Sequence, residues 1–116
     1  MSNGKSRKIQ NYRTIIKQIL NQHAAYKPSY SEIEMQTLFD NEQDRYQVLA
    51  IGWNQEKRIY GCSMHLDIKA GKIWIQANNT DIDIAEALVA KGVPKEDIVI
   101  GLQPDYLRQY TGYAIA

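Results

Sequence analysis

The chain has 116 residues, of which 44% are hydrophobic and 23% charged, a balance that fits one globular domain and excludes a disordered composition. A single cysteine, Cys62, excludes an internal disulfide framework, and no apolar run approaches the roughly 20 residues that span a bilayer. Net charge is +1 but unevenly spread: residues 1–31 carry six basic residues and no acid, while residues 32–116 carry eight bases against 13 acids.

That asymmetry has two readings, a nucleic-acid surface or a basic helix lying over an acidic body. Met1 to Lys8 has charges but no apolar segment behind them, which excludes a secretory signal. A cytoplasmic protein is expected, with one domain over residues 1–116 and a disordered tail over residues 1–7.

From Lys8 to Ala25 the apolar residues Ile9, Tyr12, Ile15, Ile16, Ile19 and Leu20 recur at helical spacing. Arg13, Lys17 and Asn21 fall on the opposite face, and Lys27-Pro28 marks the end. Four strands are predicted next. Ile33–Phe39 alternates, and Tyr46–Trp53 is apolar on both sides, as for an interior strand covered twice. Arg58–Lys69 places Tyr60, Cys62, Met64, Leu66 and Ile68 on one side, with Ser63, His65, Asp67 and Lys69 on the other. Lys72–Ala77 sets Ile73, Ile75 and Ala77 against Trp74. The short polar connections predict a four-stranded antiparallel meander.

A second helix is predicted from near Thr80, where Thr80-x-x-Asp83 resembles a capping box. Its apolar face is Ile82, Ala85, Leu88 and Val89, and Gly92 suits its end. Pro94 suits the first position of a short helical turn before Ile98-Val99-Ile100. Residues 104–116 hold Tyr106, Leu107, Tyr110, Tyr113 and Ile115, too apolar to dangle. The class is therefore α+β: an N-terminal helix on the meander, a second helix, and a short C-terminal α/β segment.

Candidate chemistry is sparse. Asp40, Glu42 and Asp44 alternate like calcium-loop ligands, but Arg45 and Ile51 stand where that loop requires glycine and glutamate, so a solvated hairpin turn explains them. Asp67-Ile68-Lys69 is half of a metal-dependent nuclease constellation, but Asp105 lies downstream in the wrong order and Asp40 and Asp44 fall at loop edges, so it reads as an ordinary polar strand face. His65 and His23 do not make up the three or four ligands of a metal site. Cys62 reads as a buried structural thiol. Gly52, Gly61 and Gly71 are isolated, and no glycine-rich phosphate loop opens a helix. No cofactor is expected.

Binding has more support. Eight tyrosines and two tryptophans exceed what a small core easily hides, and Tyr, Trp and Arg are the residue types that anchor interfaces. Tyr106, Arg108, Tyr110 and Tyr113 concentrate them at the C-terminus, where they either form a partner-binding surface or close the end of the core with their hydroxyls wet.

Several stretches, in order along the chain, resemble the XisI-type fdxN element excision controlling factors of cyanobacteria. They are Tyr26-Lys27-Pro28-Ser29-Tyr30, Gln36-Thr37-Leu38-Phe39-Asp40, Gly52-Trp53-Asn54 and His65-Leu66-Asp67-Ile68-Lys69. Further on come Gly71-Lys72-Ile73-Trp74-Ile75-Gln76, Asp83-Ile84-Ala85, Gly92-Val93-Pro94-Lys95-Glu96-Asp97-Ile98 and Arg108-Gln109-Tyr110-Thr111-Gly112-Tyr113.

The resemblance implies a compact α+β domain with no catalytic residue to carry over. It also implies a role in excising a DNA element during heterocyst development, alongside a second factor, XisH, which resembles restriction-nuclease-fold proteins. The recombinase chemistry is expected in another protein. The expectation is thus a non-catalytic adaptor that binds an XisH-type protein, with a homodimer built on the tyrosine-rich tail. The alternatives are direct DNA contact through Arg7, Lys8, Arg13 and Lys17, and, more distantly, nuclease activity at Asp67 and Lys69.

Overall fold

A computed structural model describes residues 4–26 and 32–116. Helix α1 (Gly4–Ala24) is followed by four antiparallel strands, β1 (Glu32–Asp40), β2 (Arg45–Asn54), β3 (Lys57–Lys69) and β4 (Lys72–Asn78). Then come α2 (Ile84–Ala90), a 3-10 turn (Lys95–Asp97), β5 (Ile98–Val99) and the short helix α3 (Asp105–Arg108). The meander is present as the spacing predicts, and β5 extends it, pairing parallel to β4 in a sheet of order β1-β2-β3-β4-β5. Helix α1 begins at Gly4, inside the expected tail; residues 1–3 of that tail, and the Lys27-Pro28 step, lie outside the described residues.

Both α1 and α2 pack on one face of the sheet. The predicted stripe on α1 is the buried one: Tyr12, Ile15, Ile16, Ile19 and Leu20 are all in the core, against Tyr46, Val48, Met64, Leu66, Ile73 and Ile75. Burying an aliphatic or aromatic side chain of this size stabilises by roughly 1.5–3 kcal/mol, so five of them outweigh any surface ion pair and decide that α1 docks. Two carboxylates then fix how it docks. Asp44 receives Nε of Arg13 at 2.7 Å and Nη2 at 3.1 Å, and also the Tyr46 phenol at 2.8 Å. Asp97 receives the Tyr12 phenol and pairs with Lys8 at 2.9 Å.

Two strand irregularities reassign side chains to faces. Opposite Val48–Leu49, β3 skips Ser63: Val48 pairs with Met64 and Leu49 with Cys62. A bulge of this kind shifts every residue beyond it to the other face. Tyr60 and Cys62 therefore lie with Leu49 and Ile51 on the face away from the helices, and not with Met64, Leu66 and Ile68 as strict alternation predicts. Ser63 itself is buried, its Oγ 3.0 Å from Nε2 of His23. A second skip leaves Gln76 of β4 unpaired between the Leu66–Ile75 and His65–Ala77 pairs. The sequence also predicts two covered sides for β2, yet Trp53 at its outer end is 47% exposed.

At the start of α2 the cap is Asp83, whose Oδ1 accepts from the Glu86 amide at 3.0 Å. Thr80 belongs to the preceding loop, where it donates to Asn78 Oδ1 and accepts from the Ile82 amide. The helix consequently begins four residues later than predicted and buries Ile84 in place of Ile82. Pro94 stands just ahead of the 3-10 turn as its cap. At Gly52 a β-carbon would lie 2.3 Å from the Glu32 carbonyl oxygen, so only glycine lets β1 pass this close.

The two-residue turn between β3 and β4 has positive φ at both Ala70 (51°) and Gly71 (79°), the geometry that favours Asn-Gly over Ala-Gly. Ala70→Asn is expected to stabilise the protein by about 0.5–1 kcal/mol, read as a rise in the urea midpoint with unchanged slope.

The Arg13 guanidinium, by hydrogen bonding, holds the Asp44 carboxyl below its usual range, against the opposing effect of burial. A carboxyl depressed in the folded state contributes stability above its ordinary pKa of about 3.9 and loses it as pH falls through the folded value. Asp44→Asn is therefore expected to lose about 1–3 kcal/mol at pH 7. That deficit should shrink toward zero as pH is lowered below about 4, in parallel denaturant titrations of the two proteins.

Candidate functional site

The sheet face away from the helices carries two distinct regions. The first is built on Trp74 of β4. Lys69 Nζ lies 4.3 Å and the Arg108 guanidinium 5.1 Å from the Trp74 ring centre, one cation from β3 and one from α3. Such contacts stabilise by about 0.5–1 kcal/mol each where exposed and more where desolvated.

The chain crosses this ring at Gly101, where a β-carbon would meet Gln76 Oε1 at 2.7 Å and Trp74 Cε3 at 3.1 Å. The Leu102 amide bonds to the Ile75 carbonyl at 3.1 Å, and the Ala114 amide to the Ile98 carbonyl at 2.8 Å. Residues 101–114 are thereby tied down at both ends.

On this seat the four predicted tyrosine-tail residues divide. Arg108 faces inward, with Nε donating to the Gln103 carbonyl at 2.9 Å and the guanidinium also pairing with Asp105. Tyr113 is half-buried with Lys95 6.0 Å from its ring centre, and burial pushes its phenol pKa up. Tyr106 and Tyr110 are the outward pair, 71% and 77% exposed. Tyr106 lies within α3 and Tyr110 in the turn that follows it, where the Tyr110 amide bonds to the Leu107 carbonyl at 3.1 Å.

The basic residues of α1 divide as well. Lys8 and Arg13 are held by Asp97 and Asp44, whereas Arg7 is exposed and Lys17 half-buried. Two of the four cations are thus neutralised within the fold, as expected of a basic helix lying over an acidic body.

The catalytic candidates go to separate partners. Asp67 takes Nε2 of His65 at 2.8 Å on one oxygen and Gln76 Nε2 at 3.2 Å on the other. Lys69, two residues on, turns away to Trp74. In the acidic loop, Asp40 Oδ1 accepts the amides of Glu42 and Gln43, a hairpin-turn role. The Cys62 thiol donates to the Met64 carbonyl at 3.2 Å, and burial raises its pKa, which lowers its reactivity. Burial lowers the pKa of His23, favouring the neutral ring beside Ser63. Among the described residues no group of three or more His, Cys, Asp and Glu side chains is arranged to hold a metal ion. No described helix is long and apolar enough to cross a membrane.

The second region is a row on β2 and its neighbours: Leu49, Ile51, Trp53 and Tyr60, with Tyr60 67% exposed. Sequence reading does not single it out, because strict alternation puts Tyr60 inward. The one available signal is that β2 is apolar on both sides while only one helical layer follows from the chain.

These features define a two-layer α+β domain, with α1 and α2 on one sheet face and two aromatic surfaces on the other. The comparisons agree with that class. A family model described as XisI protein matches residues 6–115, so the chain belongs to the XisI family. It is similar to the crystal structure of a XisI-like protein from Anabaena variabilis ATCC 29413, at 46% identity and TM-score 0.86, covering 93% of this chain and 99% of that one. It is similar also to the fdxN element excision controlling factor XisI of the same organism, at 30% identity and TM-score 0.81, covering 94% of this chain and 99% of that one. No curated protein matches the chain.

Because Trp74 holds the C-terminal segment down, Trp74→Ala is expected to free it. Amide hydrogen exchange across residues 101–113 should accelerate by about tenfold or more, while β2 and β3 keep their protection.

Proposed function

We propose that this protein is a non-catalytic regulatory factor in the control of site-specific excision of a DNA element, acting in the cytoplasm by binding an XisH-type protein. Membership of the XisI family, and similarity to a protein described as an excision controlling factor, support the biological role. The observation that carries the adaptor reading is the outward pair Tyr106 and Tyr110, on a segment that Trp74, Arg108 and Gly101 hold in place. A tyrosine on a fixed backbone presents a large contact area and loses little conformational entropy on binding. Arg108 acts from below as the clamp, and Tyr113 as the inner anchor. Direct DNA binding by α1 has less support, since Lys8 and Arg13 already face carboxylates.

Co-expression with the XisH-type protein of the same genome, followed by sizing with light scattering, tests the reading. A mixed complex should form, and Tyr106→Ala with Tyr110→Ala should weaken it by about 2 kcal/mol or more, with little dependence on salt. Separate elution of the two proteins would remove the adaptor role. A steep loss of affinity with salt, in DNA titrations instead, would transfer the function to Arg7 and Lys17.

A further inference from the structure

The outer row of β2 presents a pattern that is complementary to itself. In the sheet register Glu32 of β1, Trp53 of β2 and Arg58 of β3 lie side by side in one cross-strand row. Read across the strands, that row is acid, tryptophan, base. The row two residues along β2 is Glu34, Ile51 and Tyr60. Side chains in these rows point away from the helices, because Val48, three residues before Ile51 on β2 and so of opposite parity, is fully buried in the core. Arg58 already rests over the Trp53 ring at 5.3 Å, and its Nη1 donates to the Gly52 carbonyl at 3.5 Å.

From this pattern we infer that the chain forms a homodimer through the outer row of β2, sheet face to sheet face, about a two-fold axis running along that strand. The geometry selects a second copy over other occupants. A two-fold rotation about an axis parallel to β2 lays β2 on its own counterpart and β1 on the partner's β3, at the same level along the strands. Glu32 then faces the second copy's Arg58-equivalent position, and the reciprocal pair forms by symmetry, as an isologous interface requires. Leu49, Ile51 and Trp53 meet their own counterparts on the axis.

Aligned sheets pack roughly 10 Å apart at about −30°. Interdigitating Trp and Ile side chains fill that gap, and long Glu and Arg side chains bridge it beside the axis. The dimer also supplies the second cover that the two-sided apolar character of β2 calls for. It uses a surface other than Tyr106 and Tyr110, so it stands or falls separately from the adaptor reading.

Charge reversal tests it. The full-length protein is sized by sedimentation across micromolar to about 100 μM concentration. The wild type should populate a dimer, and Glu32→Arg or Arg58→Glu should each weaken it by about tenfold or more through like-charge juxtaposition. The double variant, Glu32→Arg with Arg58→Glu, should restore it, which a merely destabilising change would not do. Ile51→Lys should abolish it with circular dichroism unchanged. A wild type that stays monomeric throughout overturns the inference. So does a dimer that ignores both reversals, including one that dissociates instead on Tyr106→Ala with Tyr110→Ala.

Discussion

Everything in this fold depends on how α1 is seated. Its apolar stripe supplies the larger energy, because five buried side chains each remove a large apolar area from water. Hydrophobic burial has no direction, however, and by itself leaves a helix free to slide or turn over a sheet. The direction comes from Asp44 and Asp97, one at the β1–β2 hairpin and the other next to β5. Asp44 binds Arg13 through both its oxygens and Tyr46 as well; Asp97 gathers Tyr12 and Lys8. Partly buried carboxylates with several donors each impose a geometry that an apolar contact cannot. The same pairing engages two of the six cations, Lys8 and Arg13, that make the N-terminal segment resemble a nucleic-acid surface.

With α1 and α2 committed to one face, the other face is covered only in part, where the C-terminal segment crosses Trp74. Antiparallel sheets tolerate that arrangement, since their outer rows need only be compatible with water. Here the outer rows are not uniformly polar. At one end Trp74 serves as a platform for the C-terminal segment, and Gly101 lets the backbone come down onto it. At the other end Trp53 and Tyr60 are open. The first region centres on β4 and the second on β2, with β3 contributing Lys69 to the one and Tyr60 to the other.

The bulge at Ser63 connects these halves. By shifting the parity of β3 it sends Tyr60 and Cys62 outward while keeping Met64, Leu66 and Ile68 in the core. The extra residue is polar, and its hydroxyl meets His23 on α1, so the irregularity is satisfied within the fold. A strictly regular β3 would bury Tyr60 and empty the outer row of its largest exposed ring.

The sequence by itself determined the elements whose signals are local. The stripe on α1, the four strands of the meander and the glycine after α2 follow from the 3.6 and 2.0 residue periods and from turn chemistry, which short stretches carry whole. The C-terminal tyrosines were visible as composition, and the ordered stretches resembling the XisI family were visible as pattern. Only the tertiary structure decided that Asp83 and not Thr80 caps α2, because Thr80 is drawn into bonds with Asn78. It alone decided which tyrosines face outward, since Arg108 and Tyr113 are turned in by Trp74 and Lys95, residues distant in the chain. It also decided the face of Tyr60, because a bulge is a mismatch between two paired strands and neither strand encodes it alone.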